Sequence, residues 1–223
     1  MRSQRAVAGI DIGGDRKGNH LVILRNTQIV CNLRSQAPEQ MVEKCLQFEV
    51  GAVGIDAPCL WRVGEAGRQA EKELARQRIF SFATPTRATA MASKSGFYEW
   101  MFNGELVYQA FAPHFPLFNN GGELGDRVCF ETFPHAITSA FLGATVASAK
   151  QKRTQRRAIL QDAGIDATSL KSIDEVDAAL CALTAHCLLD ERFVVYGDEL
   201  GGFIVVPAPA GTLKGSSEYR FRG

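Results

Sequence analysis

Two aspartates end the same tripeptide at two places in the chain, Gly9-Ile10-Asp11 and Gly54-Ile55-Asp56. Each follows a short apolar run, so each carboxylate stands at the end of a buried strand, where it is costly to desolvate unless something compensates its charge. Glu131 ends a third apolar run. Asp174 and Asp177 stand three apart in a helical pattern, which puts them on one face with Cβ atoms about 5–6 Å apart. Acids crowded together repel, and a hard cation relieves the repulsion. Magnesium prefers oxygen ligands and keeps several of its waters, so a few carboxylates suffice, with manganese as the alternative ion. The competing reading is a set of separate surface acids, Asp174 merely favouring a helix N-terminus.

Basic residues gather in one stretch, Lys150, Lys152, Arg153, Arg156 and Arg157, where Arg153 and Arg157 share a helical face. Lys152 and Arg157 are the expected substrate-binding residues; phosphate contacts of this kind make affinity strongly salt-dependent. The alternative is a plain solvated helix. Arg68 and Arg87 either touch substrate or serve structural pairing, and Glu71 stands three residues from Arg68 on a helix. Phe97, Tyr98, Trp100, Met101, Phe102, Tyr108 and Phe111 form an aromatic-rich patch that serves as core or lid, or stacks bases. His20, His114, His135 and His186 show no metal spacing, and no Ser–His or Cys–His constellation offers a protein nucleophile.

The elements that must position these residues follow from pattern. Ala6–Ile12 is a continuous apolar run and reads as a buried strand. Leu21–Leu24 and Ile29–Leu33 form a hairpin through Asn26-Thr27. Pro38 opens a helix with Met41, Val42, Cys45 and Leu46 on one face and Gly51 at its end, and Ala52–Asp56 is the next strand. The first and fourth strands are then parallel neighbours through a right-handed crossover, and their two acids stand side by side where open α/β sheets place ligands. Glu65–Arg78 reads as a charged surface helix, Phe80–Arg87 as loop or strand edge, and Asn119-Asn120-Gly121-Gly122 as a turn. Arg127–Phe130 is a further strand and Lys150–Ala163 a basic helix. Ser172-Ile173-Asp174-Glu175 is a capping box opening a helix over Ile173–Asp190, whose alanines permit close docking on a sheet. Phe193–Tyr196 and Phe203–Val206 form a final hairpin around Gly201-Gly202.

The chain has 223 residues, 46% hydrophobic and 22% charged, with a formal charge of +1. That balance gives no global attraction to nucleic acid or membrane, so any such surface must be local. A domain of this length buries roughly 70–75% of the surface of its unfolded chain and needs no disulfide staples. The six cysteines include no C-x-x-C pair and read as buried reduced thiols. No run of about 18 apolar residues marks a transmembrane helix, and the glycine-interrupted start is no signal peptide. The expectation is a cytoplasmic protein of one domain, 1–223, with about 61–125 inserted within it.

In order and spacing the motifs resemble the ribonuclease H-like superfamily, in particular an uncharacterised family of predicted nucleases of that fold. The carriers span most of the chain: G-I-D-I-G-G at Gly9–Gly14, G-I-D-A-P at Gly54–Pro58, R-x-x-E-x-x-L at Arg68–Leu74, T-P-T-R at Thr84–Arg87, E-T-F-P at Glu131–Pro134, and D-E-V-D-A at Asp174–Ala178. The resemblance implies an α/β fold, a mixed sheet flanked by helices, with metal ligands at the ends of strands one and four and on a late helix. Those places correspond to Asp11, Asp56 and Asp177. Glu131 resembles the family acid that precedes proline on a later strand, whereas His135 stands where similar chains often carry another acid.

The chemistry expected is metal-assisted hydrolysis of phosphodiester bonds in nucleic acid. In a two-metal site, ions about 3.5–4 Å apart activate water and stabilise the leaving oxygen. Asp11 and Asp56 are the central ligands, Asp177 a ligand at the edge, and Glu131 a ligand or water-positioning group. Two other classes remain open. Asp11-Ile12-Gly13-Gly14 also resembles the phosphate loop of actin-like ATPases and small-molecule kinases, although Asp15 stands where those carry Thr or Ser. A non-catalytic nucleic-acid-binding or protein-binding module on the same scaffold would bind without turnover.

Overall fold

Strand β1 (Val7–Asp11) is buried at every position but its last, because it lies inside a sheet covered by helices on both faces. The computed structural model describes residues 5–14, 16–120 and 124–208. Asp15 and the Gly121-Gly122 half of the expected turn lie outside them. Seven strands form one sheet in the order β3-β2-β1-β4-β5-β7-β6. β2 (Asn19–Arg25) and β3 (Gln28–Ser35) make the expected hairpin, and Asn26 takes the positive φ of 56° that the turn requires. β4 (Ala52–Asp56) pairs parallel with β1 on one side and with β5 (Val128–Glu131) on the other. β5 is parallel in turn to β7 (Gly202–Pro207), which closes an antiparallel hairpin with the edge strand β6 (Phe193–Asp198). This is the mixed, helix-flanked α/β sheet that the motifs imply.

Alternation along the strands separates two cores. Val7, Val22, Leu24, Phe130 and Val205 face α7 (Ile173–Leu189) and α6 (Lys152–Asp162), joining Leu160, Val176, Leu180 and Leu188. Ala8, Ile10, Leu21, Ile23, Val53, Ile55 and Cys129 face the other way, against α1 (Pro38–Gln47) and α4 (Glu99–Phe111). The stretch read as an insertion therefore contributes Val107 and Phe111 to one face of the main core. It also holds α2 (Gln69–Arg76) and the short α3 (Arg87–Ala92). Helix α2 is shorter than the pattern over Glu65–Arg78, and it is less superficial: Ala70 and Leu74 are fully buried against β7. Helix α5 (Pro134–Leu142) follows β5 directly, with Pro134 in its first turn. Among the described residues no helix is long and apolar enough to cross a membrane, and the six cysteines are free thiols.

Candidate metal centre

The glycines of the two Gly-Ile-Asp tripeptides explain where the acids go. A Cβ on Gly9 would stand 2.0 Å from the Ala178 carbonyl oxygen, and one on Gly54 would stand 2.6 Å from that of Cys181. Helix α7 thus lies with its backbone directly on β1 and β4, which only residues without a side chain permit. Side chains two apart on a strand share a face, so Asp11 and Asp56 emerge on the α7 side, just beyond the glycines. One helical turn before Ala178 and Cys181 stand Asp174 and Asp177. The Ser172 capping box fixes that end: Ser172 accepts from the Glu175 amide and Glu175 accepts from the Ser172 amide.

Asp11 and Asp56 are register partners on adjacent parallel strands, and their carboxyls share a hydrogen bond. Burial, then the charges of Asp56, Asp177 and Asp174, push the Asp11 carboxyl well above the usual carboxylate range. Burial and the Asp177 charge raise Asp56 to about 7, against the opposing pull of Arg156. Asp177 is raised by burial, again against Arg156. Its Oδ2 accepts from Arg156 Nη1 at 2.5 Å, while its buried Oδ1 has no protein partner. Asp174 sits at the rim, 3.3 Å from Lys17 Nζ. His20, the register partner of Asp11 on β2, stands on the same side, with a buried Nδ1 that no protein group bonds.

Glu131 does not join this group. It is in register with Ile55 rather than Asp56, so it leaves the sheet on the opposite face, the one that carries Cys129 into the α1–α4 core. There Arg68 grips it with two bonds, Nη1 to Oε1 at 2.8 Å and Nη2 to Oε2 at 2.5 Å, and the Cys59 amide donates to Oε2 at 2.8 Å. Arg68 also donates to the Gly201 carbonyl at 2.6 Å and lies 3.7 Å from Glu71. Arg68 and Glu131 are both buried. Glu131 rather than Glu71 is the main partner of Arg68.

The other expected substrate contacts separate in the same way. Arg87 is exposed and paired with Glu105 at 3.0 Å, and its guanidinium lies over the Phe102 ring. Lys152 is exposed at the start of α6, close enough to Asp177 to favour its charge. Arg157 turns its donors to the carbonyls of Ala167 and Leu170, at 2.8 and 2.7 Å, and so holds the loop before α7. Its neighbour Arg156 is the cation at the acids. The stretch does contain a signal for that, because Arg156 precedes Ile159 and Leu160 by three and four residues and so shares their buried face. A cleft of about 110 Å³ is lined by both Asp56 and Glu131 and runs along Pro58, Thr132, Phe82 and Trp100. Phe82 packs edge-on against Trp100 and Tyr98 and lies 5.4 Å from Phe97, which is 56% exposed.

The donors suit a small hard cation. Asp11 and Asp56 offer only oxygen, their carboxyls stand side by side at the ends of adjacent strands, and the Asp177 Oδ1 beside them is buried and unbonded. Among the described residues no three acidic, His or Cys side chains gather tightly enough to enclose an ion. A cation here would be held by the carboxylates of Asp11 and Asp56, with water completing its shell. The glycine-rich loop fits a phosphate less well: the Gly13 amide is taken by Asn19 Oδ1 at 3.2 Å, and Gly14 accepts from the Lys17 and Gly18 amides.

No curated protein matches the sequence. Among solved structures, that of RuvC from Thermus thermophilus aligns with 84% of this chain and 95% of its own, at 16% identity and a TM-score of 0.42. The family pattern described as "Protein of unknown function (DUF429)" matches residues 9–200, and the chain belongs to that family.

Proposed function

We propose that this protein is a divalent-metal-dependent nuclease that hydrolyses phosphodiester bonds, with Mg²⁺ or Mn²⁺ held by Asp11 and Asp56 and with Asp177 at the edge of the site. The observation that carries this reading is the register pairing of Asp11 with Asp56 under α7, two carboxyls held side by side where burial and neighbouring acidic charge push both above the usual carboxylate range. A bound divalent ion supplies Lewis acidity and lowers the pKa of its water toward neutrality. The chain does the rest. Asp11 and Asp56 fix the position of the reacting phosphate relative to the sheet. Lys152, beside Asp177, attracts the phosphate backbone, and exposed Arg153 on the same helix extends that charge. Phe82, which lines the cleft, and the exposed Phe97 packed against it offer ring faces to an unpaired base.

The test is incubation of the purified protein with labelled single- and double-stranded DNA and RNA in Mg²⁺, Mn²⁺ or EDTA, with phosphate release from ATP followed in parallel. Metal-dependent cleavage that Asp11→Asn abolishes supports the proposal. Binding without turnover in either metal would identify a non-catalytic module instead, and ATP hydrolysis without nucleic acid would favour the kinase-like class.

A further inference from the structure

The charges around Asp11 do not sum to what two divalent ions need. Asp174 is answered by Lys17 and Glu131 by Arg68, each within hydrogen-bonding distance. That leaves Asp11, Asp56 and Asp177 facing the buried guanidinium of Arg156, with Lys152 solvent-exposed at the Asp177 edge. With Asp11 and Asp56 both ionised, as metal ligands must be, three carboxylates against the buried guanidinium leave two net negative charges, the charge of one Mg²⁺. A second ion would turn the pocket positive.

Arg156 is also built in rather than passing by. Its side chain is 10% exposed and that of Asp177 9%, and they meet at 2.5 Å. Ile159 and Leu160, buried one turn further along α6, hold the helix against α7 and so keep Arg156 on the face turned toward Asp177. Its Nε and the Asp177 Oδ1 are both buried with no protein partner, so polar capacity is left over on each side of the ion pair. A guanidinium keeps its charge at any working pH and presents donors in a fixed fork suited to phosphate oxygens.

We propose that Arg156 stands in place of a second metal ion, making this a one-ion centre in which a tethered guanidinium, rather than a second divalent cation, faces the phosphate from the Asp177 side. The proposal rests on the reading of Asp11 and Asp56 as metal ligands. It replaces the two-ion arrangement that the motifs suggest.

The experiment is a Mn²⁺ titration of the full chain, read by calorimetry for stoichiometry and by electron paramagnetic resonance for coupling between ions. One tight ion per chain, with the signal of an isolated Mn²⁺, is expected. Two tight ions, or the spectrum of a coupled pair, would overturn the proposal while leaving the metal-ligand reading intact. No tight ion would remove both. Arg156→Gln is expected to admit a second ion, and Arg156→Lys, which keeps the charge, to retain one. A folded Arg156→Gln protein that still binds a single ion counts against the proposal. If that variant does not fold, the stoichiometries of the parent and of Arg156→Lys still decide.

Discussion

Gly9 lies so close beneath Ala178 that the helix backbone occupies the space where a side chain would begin. The obstacle is a carbonyl rather than the end of a flexible side chain, so Gly9→Ala must push α7 away from β1. Overpacking of a core typically costs about 1–3 kcal/mol, and a backbone clash belongs at or above the top of that range. Urea unfolding of Gly9→Ala should show a loss of about 3 kcal/mol or more. Gly14→Ala, where nothing lies within 4 Å of the new atom, should stay within about 0.5 kcal/mol of the parent.

The raised pKa of Asp56 sets a pH dependence of known sign. A carboxyl that titrates near 3.8 in the unfolded chain and at about 7 in the fold binds more protons folded than unfolded in that interval. Stability of the metal-free protein therefore falls as pH rises from about 4 to about 7. Asp56→Asn removes that penalty. At 1.36 kcal/mol per unit the full shift is worth roughly 4 kcal/mol, and partial solvent access reduces it to about 1–3. In EDTA the variant should be more stable than the parent at pH 8 and no more stable at pH 4, with denaturant melts at both values as the check.

Arg68→Ala should damage folding rather than substrate affinity. It strands Glu131 in the interior, and breaking a buried pair from one side costs about 3–5 kcal/mol. The double variant Arg68→Met/Glu131→Leu should recover much of that loss. A stable Arg68→Ala protein with weakened nucleic-acid binding would return Arg68 to the substrate side.

Asp174 and Asp177 should differ in their effect on metal. Asp177→Asn keeps an acceptor for Arg156 but removes the charge beside Asp56, and loss of a partner of this kind lowers metal affinity about 10–100-fold. Asp174, at the rim and paired with Lys17, should matter much less. Mn²⁺ calorimetry on the two variants compares them directly, and equal affinities would place Asp177 outside the site.

Salt dependence should locate the phosphate track. Lys152→Ala with Arg153→Ala should flatten the slope of log affinity against log salt by about 0.7–0.9 per lost contact. Arg157→Ala should leave the slope alone and lower stability, since its donors hold the carbonyls of Ala167 and Leu170. An unchanged slope in the Lys152/Arg153 variant would make that end of α6 an ordinary solvated surface.

What could be read from the sequence was local. The apolar runs of β1 and β4, the Asn26-Thr27 turn, the Ser172 capping box and the final hairpin all stand where their short-range chemistry puts them. Asp11 and Asp56 meet because both strands end on the same tripeptide. What depended on long-range register was not legible. Glu131 ends its strand as expected, but a pairing with Ile55 instead of Asp56 sends it to the other face, and no local pattern encodes that step. Arg68 shows a near neighbour of opposite charge in Glu71, while its principal partner lies sixty-three residues away. Arg156 and Arg157 are adjacent and alike in composition; only the phase of α6 decides which one reaches the acids.

The docking of α7 also orders the events of synthesis. Both Gly-Ile-Asp strands and the hairpin beside them leave the ribosome well before Ser172, at about 5–20 residues per second. Asp177 and the helix backbone that covers Gly9 and Gly54 all come from Ile173–Leu189, so the surroundings of Asp11 and Asp56 are complete only after both strands and the hairpin have been made.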